Sequence, residues 1–418
     1  MTHRIVFVAA LLAALPAFAG GFAVEAQGAR SAGMAGACVA QAGDATALFC
    51  NPGALALLPK KKGGAAGLMG SEFKDSLYQG LPPGIGAGTA AQQARPRTIV
   101  PHVFATVPLG QNGVFGTGFY HPFRMQTDWE APNQFAGRFT ATSSKIEAYD
   151  ISPAFALKLG DSFGIGAAGI YRTSTLSSAR RLATTSNGAQ QEIASLTMKS
   201  DSRHSIGWTA GMLIRGGTKL ALGASYRSKT KSNPTGVGRL TQILTGNTQL
   251  DQLVTATFPF NQDLLVNTTS EFPSQAIAGL ALTPSEALLL ELDVERTGWK
   301  DVHDIAFVFP SAHVLDTTYA LSFEDAMTYR GGFRFRFPTG PQLRLGYAQS
   351  KTPLPDAAVG AFFPDSDRTT ITGGVGLDWI DVAVGVTTYK QRIVSTSTTG
   401  LNGNYRAKSW FAVMTISK

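Results

Sequence analysis

The residues best equipped for chemistry are five arginines. Arg227, Arg330, Arg334, Arg336 and Arg344 lie in segments where apolar and polar residues alternate, and each falls on the polar side. A guanidinium offers a planar fork that can hold a carboxylate through two parallel hydrogen bonds. Grouped arginines therefore suit an acidic head group whose apolar tail lies among aromatic side chains. They suit equally well a structural role, pairing with acids such as Glu25, Asp44 or Asp378. Arg334, Arg336 and Arg344 stand on adjacent segments and form one basic cluster.

The elements that must position these arginines are strands. Ile371, Val375, Leu377 and Trp379 alternate with Thr370, Thr372, Gly374, Gly376 and Asp378, the period of two that marks a strand with one apolar face. The pattern recurs at Leu220, Leu222 and Tyr226, at Tyr329, Phe333, Phe335 and Phe337, at Leu343, Leu345 and Tyr347, and at Val382, Val384 and Val386. Connections separate a barrel from a sandwich. Short turns at 110–112, 160–162, 215–217, 283–285 and 338–340 alternate with long links near 75–96, 126–137, 184–197, 232–269, 311–325, 352–366 and 396–404. That alternation predicts an all-β transmembrane antiparallel barrel of about 14 strands, with short periplasmic turns and long extracellular loops. Several strands exceed the roughly 9–11 residues needed to cross a bilayer, so the wall is expected to rise above it.

The N-terminus reads Met1-Thr2-His3-Arg4, an apolar run from Ile5 to Leu15, and Ala17-Phe18-Ala19. This predicts a secretory signal over 1–19. Residues 20–58 are rich in Gly and Ala and do not alternate, which makes them a plug (hatch) for the lumen or a periplasmic tail; residues 59–418 form the barrel. In the link 232–269, Leu240, Ile243 and Leu244, then Leu250, Leu253 and Val254, fall at helical spacing. They predict short amphipathic helices, either a greasy landing surface or packing for the loop.

Composition excludes other classes. The chain holds 46 glycines and only 15% charged residues, with mean hydropathy +0.04, which suits strands that are half apolar and half polar. The net charge of +8 favours anionic lipid, lipopolysaccharide or carboxylate ligands. Basic residues are spread out, with no dense run beyond Lys60-Lys61-Lys62, so nucleic acid is not an expected partner. Gly164-Ile165-Gly166-Ala167-Ala168-Gly169 spells a dinucleotide motif, but inside an alternating strand with no helix following. There is no G-x-S-x-G, and the six histidines show no metal spacing. An enzyme is not expected, nor a cofactor or metal. Cys38 and Cys50, in an exported chain, form a disulfide or remain two buried thiols.

Gly28-Ala29-Arg30-Ser31-Ala32-Gly33-Met34-Ala35-Gly36-Ala37, then Asp44-Ala45 and Asn51-Pro52-Gly53-Ala54-Leu55, resemble the N-terminal hatch of FadL/TodX (OMPP1) outer-membrane transporters. Val100-Pro101-His102, Phe135-Ala136-Gly137-Arg138-Phe139, Ser350 to Pro355 and Phe363 to Arg368 match further family segments in order. The resemblance implies passive passage of hydrophobic molecules, long-chain fatty acids first and aromatic hydrocarbons as the alternative. It implies capture by loops and sideways exit at a kink in the third strand, where Tyr120-His121-Pro122-Phe123 sits. Pro122 donates no ladder hydrogen bond and either opens the wall or is an ordinary rim proline.

On this reading Asn51, Pro52 and Gly53 form the hatch turn. Phe22 reaches the ligand pocket or simply packs; Arg227 and the three-arginine cluster bind substrate, with Leu240, Leu244 and Leu253 as the capture surface. Outer-membrane lipid, lipopolysaccharide and the assembly machinery are the expected partners. A general porin for hydrophilic solutes is the competing class. The chain departs from the family pattern at Gly53, where Ala is commoner, at Arg124, where Gly is frequent, in its cysteine pair, and in ending on Lys418.

Overall fold

The computed structural model describes residues 21–59, 62–186 and 188–418. The predicted secretory signal and Gly20 lie outside the described residues. Fourteen strands form the wall: β1 (Gly63–Gly80), β2 (Arg97–Leu109), β3 (Gly113–Asp128), β4 (Ser143–Leu159), β5 (Phe163–Ser186), β6 (Arg203–Gly216), β7 (Leu220–Arg227), β8 (Ser274–Leu282), β9 (Leu288–Gly298), β10 (Ala326–Arg336), β11 (Gln342–Ser350), β12 (Arg368–Gly376), β13 (Ile380–Tyr389) and β14 (Gly403–Ser417). Each pairs antiparallel with its sequence neighbour. β14 returns to β1 from Ala65↔Ser417 to Gly80↔Gly403, so the sheet closes. Closure pairs the sheet's two ends, the condition for a sheet to cross lipid, and among the described residues leaves unpaired edge at a gap between β2 and β3.

The alternation seen in the sequence separates outside from inside. Ile99, Ile206, Leu292, Ile371 and Val384 are exposed on the outer face. Trp379 marks the short-turn end, while Trp208 and Tyr226 pack together nearer the loops, like the aromatic girdles at lipid–water boundaries. The inner face carries Arg172, Glu291, Asp293, Arg330, Arg344 and Asp381, all buried. The glycines of the dinucleotide-like motif lie within β5, where they pair with β4 and β6.

The long links are more ordered than the sequence suggests. β5 continues above the membrane into a hairpin with a strand over Ala189–Ser200, which pairs in turn with Thr235–Gln242. The helix expected at Leu240, Ile243 and Leu244 is therefore absent. Leu240 lies in the Thr235–Gln242 strand, fully buried, because pairing on both sides of that strand outweighs local helical spacing. Only the second half of the expectation is helical, at Thr248–Thr257, capped by the Asn247 side chain on the Gln249 and Leu250 amides. Leu244 and Leu253 stay exposed at the loop tip.

Thr230–Ser232 and Ser270–Phe272 pair as a small sheet outside the wall. Burial pushes the Glu271 carboxyl upward there. Lys231 at 2.6 Å and the backbone and ring nitrogens of His303 at 2.8 and 2.7 Å outweigh burial and hold it below its ordinary range. A depressed acid contributes stability that is complete above its unfolded pKa of about 4.3 and is lost as pH falls through the lower folded value. Amide-exchange protection at His303 is therefore expected to persist at about pH 5 and to decline below about pH 4. Unchanged protection at about pH 3 would mean that the ion pairs do not hold this sheet.

Candidate functional site

Among the described residues, the wall is interrupted between β2 and β3. β3 pairs with β2 only from Gly113 to Phe119, and with β4 along its whole length. Across from it, Arg97–His102 of β2 pair with β1 alone. Between Tyr120 and Phe123 the β3–β4 register shifts, so that His121 and Pro122 together oppose Tyr149. This is a β-bulge of one extra residue, which bends a strand and ends its regular pairing. Pro122, lacking an N–H, removes a donor at the bend. Above the gap the wall resumes where Gln93 bridges Trp129 and the Ala94 amide donates to the Asp128 carbonyl at 2.7 Å. The result is a lateral window bounded below by Val103 and Phe119.

The N-terminal segment lines the inside of this window. The Val24 amide donates to the Pro122 carbonyl (2.9 Å) and the Arg124 amide to the Phe22 carbonyl (2.8 Å), with Ala23 bridging Phe123. The chain thus supplies a short strand to the edge that β2 leaves unpaired. Phe22 packs edge-on to Trp299, 4.6 Å between centroids, and contacts Phe123, Phe272 and Phe363. Beside them Arg172 holds Asp150 through two 2.8 Å hydrogen bonds and lies over the Phe123 and Phe272 rings at 4.7 and 5.0 Å.

A cavity of about 230 Å³ runs from Phe22 and Phe363 to the window at Thr98 and Gln126, with Met69, Trp410 and Phe411 on its walls. Its two cations are committed. Arg368 pairs with Glu25 and donates to the Gly21 carbonyl; Arg124 pairs with Glu147 and Gln126. Glu72 and Asp365 also line it. The cavity therefore offers apolar surface and no surplus positive charge.

Below the cavity, residues 21–58 fill the lumen as a hatch. It contains α1 (Ala29–Ala32), α2 (Ala47–Cys50) and a 3-10 turn over Pro52–Leu57. Cys38 and Cys50 are joined by a disulfide. The hatch has little internal secondary structure, so its buried N–H groups find partners in the wall. Asp293 accepts from the Cys38 and Val39 amides at 2.8 and 3.1 Å, and Glu291 from the Ala40 amide at 2.7 Å. Asn51 accepts from the Gly53 amide and donates to the carbonyls of Val39 and of Met212 on β6. Pro52 begins the 3-10 turn. Gly53 is required by close approach, since a β-carbon there would sit 2.5 Å from the Gly211 carbonyl oxygen.

Arg227, read from the sequence as a ligand contact, donates to the Phe49 carbonyl and to Gln275 and stacks over Phe49, so it holds the hatch. Arg334, Arg336 and Arg344 do come together, but on the periplasmic side of the hatch. They share a second cavity with Arg30, Asp44 and Pro59, separate from the apolar one. Of the acids expected to pair with the arginines, Glu25 binds Arg368 and Asp44 binds Arg30, while Arg344 takes Asp381. Sequence reasoning missed Glu291 and Asp293. The signal was there, since Glu291, Asp293 and Glu295 alternate with Leu290, Leu292 and Val294 on one strand. It also missed Trp299, Phe272 and the Arg172–Asp150 pair, which come from distant segments and share no local pattern.

Among solved structures, a FadL homologue from Pseudomonas aeruginosa superimposes with a TM-score of 0.80 at 20% identity, covering 95% of this chain and 99% of its own. The toluene transporter TodX from P. putida gives 0.72 at 18% identity, covering 94% and 98%. The toluene transporter TbuX from Ralstonia pickettii gives 0.68 at 16% identity, with the same coverage. A search of curated protein sequences gives no match. The family described as outer membrane protein transport protein (OMPP1/FadL/TodX) matches residues 10–417. With this barrel, hatch and lateral window, the chain belongs to the OMPP1/FadL/TodX family of outer-membrane transporters of hydrophobic compounds.

Proposed function

We propose that the protein conducts uncharged hydrophobic molecules, of which monoaromatic hydrocarbons fit best, from the loops through the apolar cavity to the window and into the membrane. The observation that carries this reading is the charge balance of the cavity, where the arginines pair with Glu25 and with Glu147, the latter shared with Lys145, and Glu72 and Asp365 add two more acids. A carboxylate entering it would leave water without gaining a free cation, and an unpaired charge is costly in an apolar site. Size agrees, since an apolar void of about 150 Å³ accommodates benzene and this one is about 230 Å³. TodX and TbuX, described as toluene transporters, have the same fold. Leu244 and Leu253 give the loop tip an apolar first contact. Passage runs down a concentration gradient, with Phe22 and the hatch moving to admit the molecule. The filled lumen argues against a general porin.

Long-chain fatty acids are the second reading, favoured by Arg124. It stands at the window end of the cavity, where the head group of an acid leaving chain-first would meet it. Uptake of labelled toluene and of a labelled long-chain fatty acid by cells carrying the protein, against cells without it, separates the two. Accelerated uptake of toluene alone is expected. Uptake of the fatty acid alone, abolished by Arg124→Gln, would establish the second reading; uptake of neither would remove both.

A further inference from the structure

We propose that the cavity on the periplasmic side of the hatch is a binding site for a small oxyanion of the carboxylate or phosphate class. The cavity, about 140 Å³, is lined by four guanidinium groups, Arg30, Arg334, Arg336 and Arg344, together with Asp44. The two acids within ion-pair reach, Asp44 and Asp381, are taken by two of the arginines. Arg30 pairs with Asp44 at 3.0 Å and Asp381 at 2.9 Å. Arg344 pairs with the same Asp381 at 2.6 Å and with Gln342 at 2.9 Å.

Arg334 and Arg336 are left over. Among the described residues, neither side chain forms a hydrogen bond or an ion pair, and the Arg334 Nε is closed off from solvent without an acceptor. Leaving that buried donor of Arg334 unsatisfied is expensive, whereas Arg336 is exposed. The wall compounds this cost, because Arg334 lies directly across the ladder from Arg344, and like charges in that relation repel. A bound oxyanion relieves both. Its oxygens match the guanidinium forks, and its charge stands between cations that otherwise face one another.

The position decides the source. Strands β10 and β11 wall the site off from lipid, and the hatch separates it from the apolar cavity, so the ligand arrives as a small solute from the periplasm. This inference does not rest on the substrate reading above. Because Arg30 belongs to the hatch and the other three arginines to the wall, a shared anion also ties the hatch to the barrel.

The test uses the full-length protein purified in detergent and chloride buffer, titrated calorimetrically with inorganic phosphate and separately with succinate. Saturable binding of at least one anion is expected, and which one binds separates a phosphate from a carboxylate ligand. Arg334→Gln/Arg336→Gln is expected to weaken it by about tenfold or more, and Arg334→Lys/Arg336→Lys, which keeps charge but loses the fork, by less. Wild-type amide exchange over residues 29–46 is expected to slow when the anion is added. Far-ultraviolet circular dichroism and heat-modifiable gel migration of both variants, matched to the wild type, serve as the control for an intact barrel. Absence of saturable binding of either anion by the wild type, or equal binding by a folded Arg334→Gln/Arg336→Gln variant, overturns the proposal.

Discussion

Deleting Pro122 is expected to cut uptake of hydrophobic molecules to a small fraction of the wild-type rate while leaving a folded barrel. The deletion removes the one extra residue of the bulge, so that His121 opposes Tyr149 and Phe123 keeps its present partner Ala148. β3 then runs straight past the free edge of β2 over Arg97–His102. Roughly three to six ladder hydrogen bonds can form there at a net 0.5–1.5 kcal/mol each, a bias toward the closed wall large enough to slow uptake by about tenfold or more. The short strand over residues 22–24 would have to give up its place at that edge, which offsets part of the gain. The measurement is initial uptake rate in cells matched for barrel content. Uptake that survives the deletion would show that molecules pass below the hatch toward the periplasm and not through the wall.

The second large effect concerns the hatch. Replacing Glu291 and Asp293 together by Ala removes the acceptors for the amides of Cys38, Val39 and Ala40. Each buried donor left without a partner costs about 1–3 kcal/mol, so the segment should detach from β9 and admit water to the lumen. In planar bilayers the wild type is expected to be nearly silent and the double variant to conduct steadily. Asp293→Asn keeps an oxygen acceptor at that position and is expected to stay close to wild type. A silent Ala double variant would mean that Asn51, Arg227 and the disulfide suffice to hold the hatch.

Much of the wall was legible in the sequence, because a strand lying between lipid and a polar lumen must alternate. The alternation of short and long links then set the strand number and the direction of the loops. Pro122 was singled out by the family resemblance, since Pro101, Pro108 and Pro153 also lie inside long strands without marking a bulge. Depth within the lumen was not legible. Period two tells that Arg334, Arg336 and Arg344 face inward, but not on which side of the hatch they fall. That depends on how far residues 21–58 reach up the barrel, which is set by contacts such as Asp293 with Cys38, between residues more than 250 positions apart. Leu240 shows the opposite failure. Its spacing to Ile243 and Leu244 is a real helical signal, overridden by two neighbouring strands that no local window contains. Ala23 carries no strand signal at all, and bridges Phe123 only because β3 presents an unpaired edge to it.

The disulfide between Cys38 and Cys50 sits inside a closed tube, with Cys50 buried. An oxidoreductase is itself a folded protein and cannot follow the cysteines into the lumen once β14 has zipped onto β1. Enzyme-catalysed pairing of the two cysteines therefore belongs before closure of the wall, while the exported chain is still open to periplasmic catalysts; after closure only a small oxidant entering the cavity that Cys38 and Cys50 line can reach them. Where an enzyme makes the bond, biogenesis has an order in which the plug is cross-linked first and the barrel is completed around it.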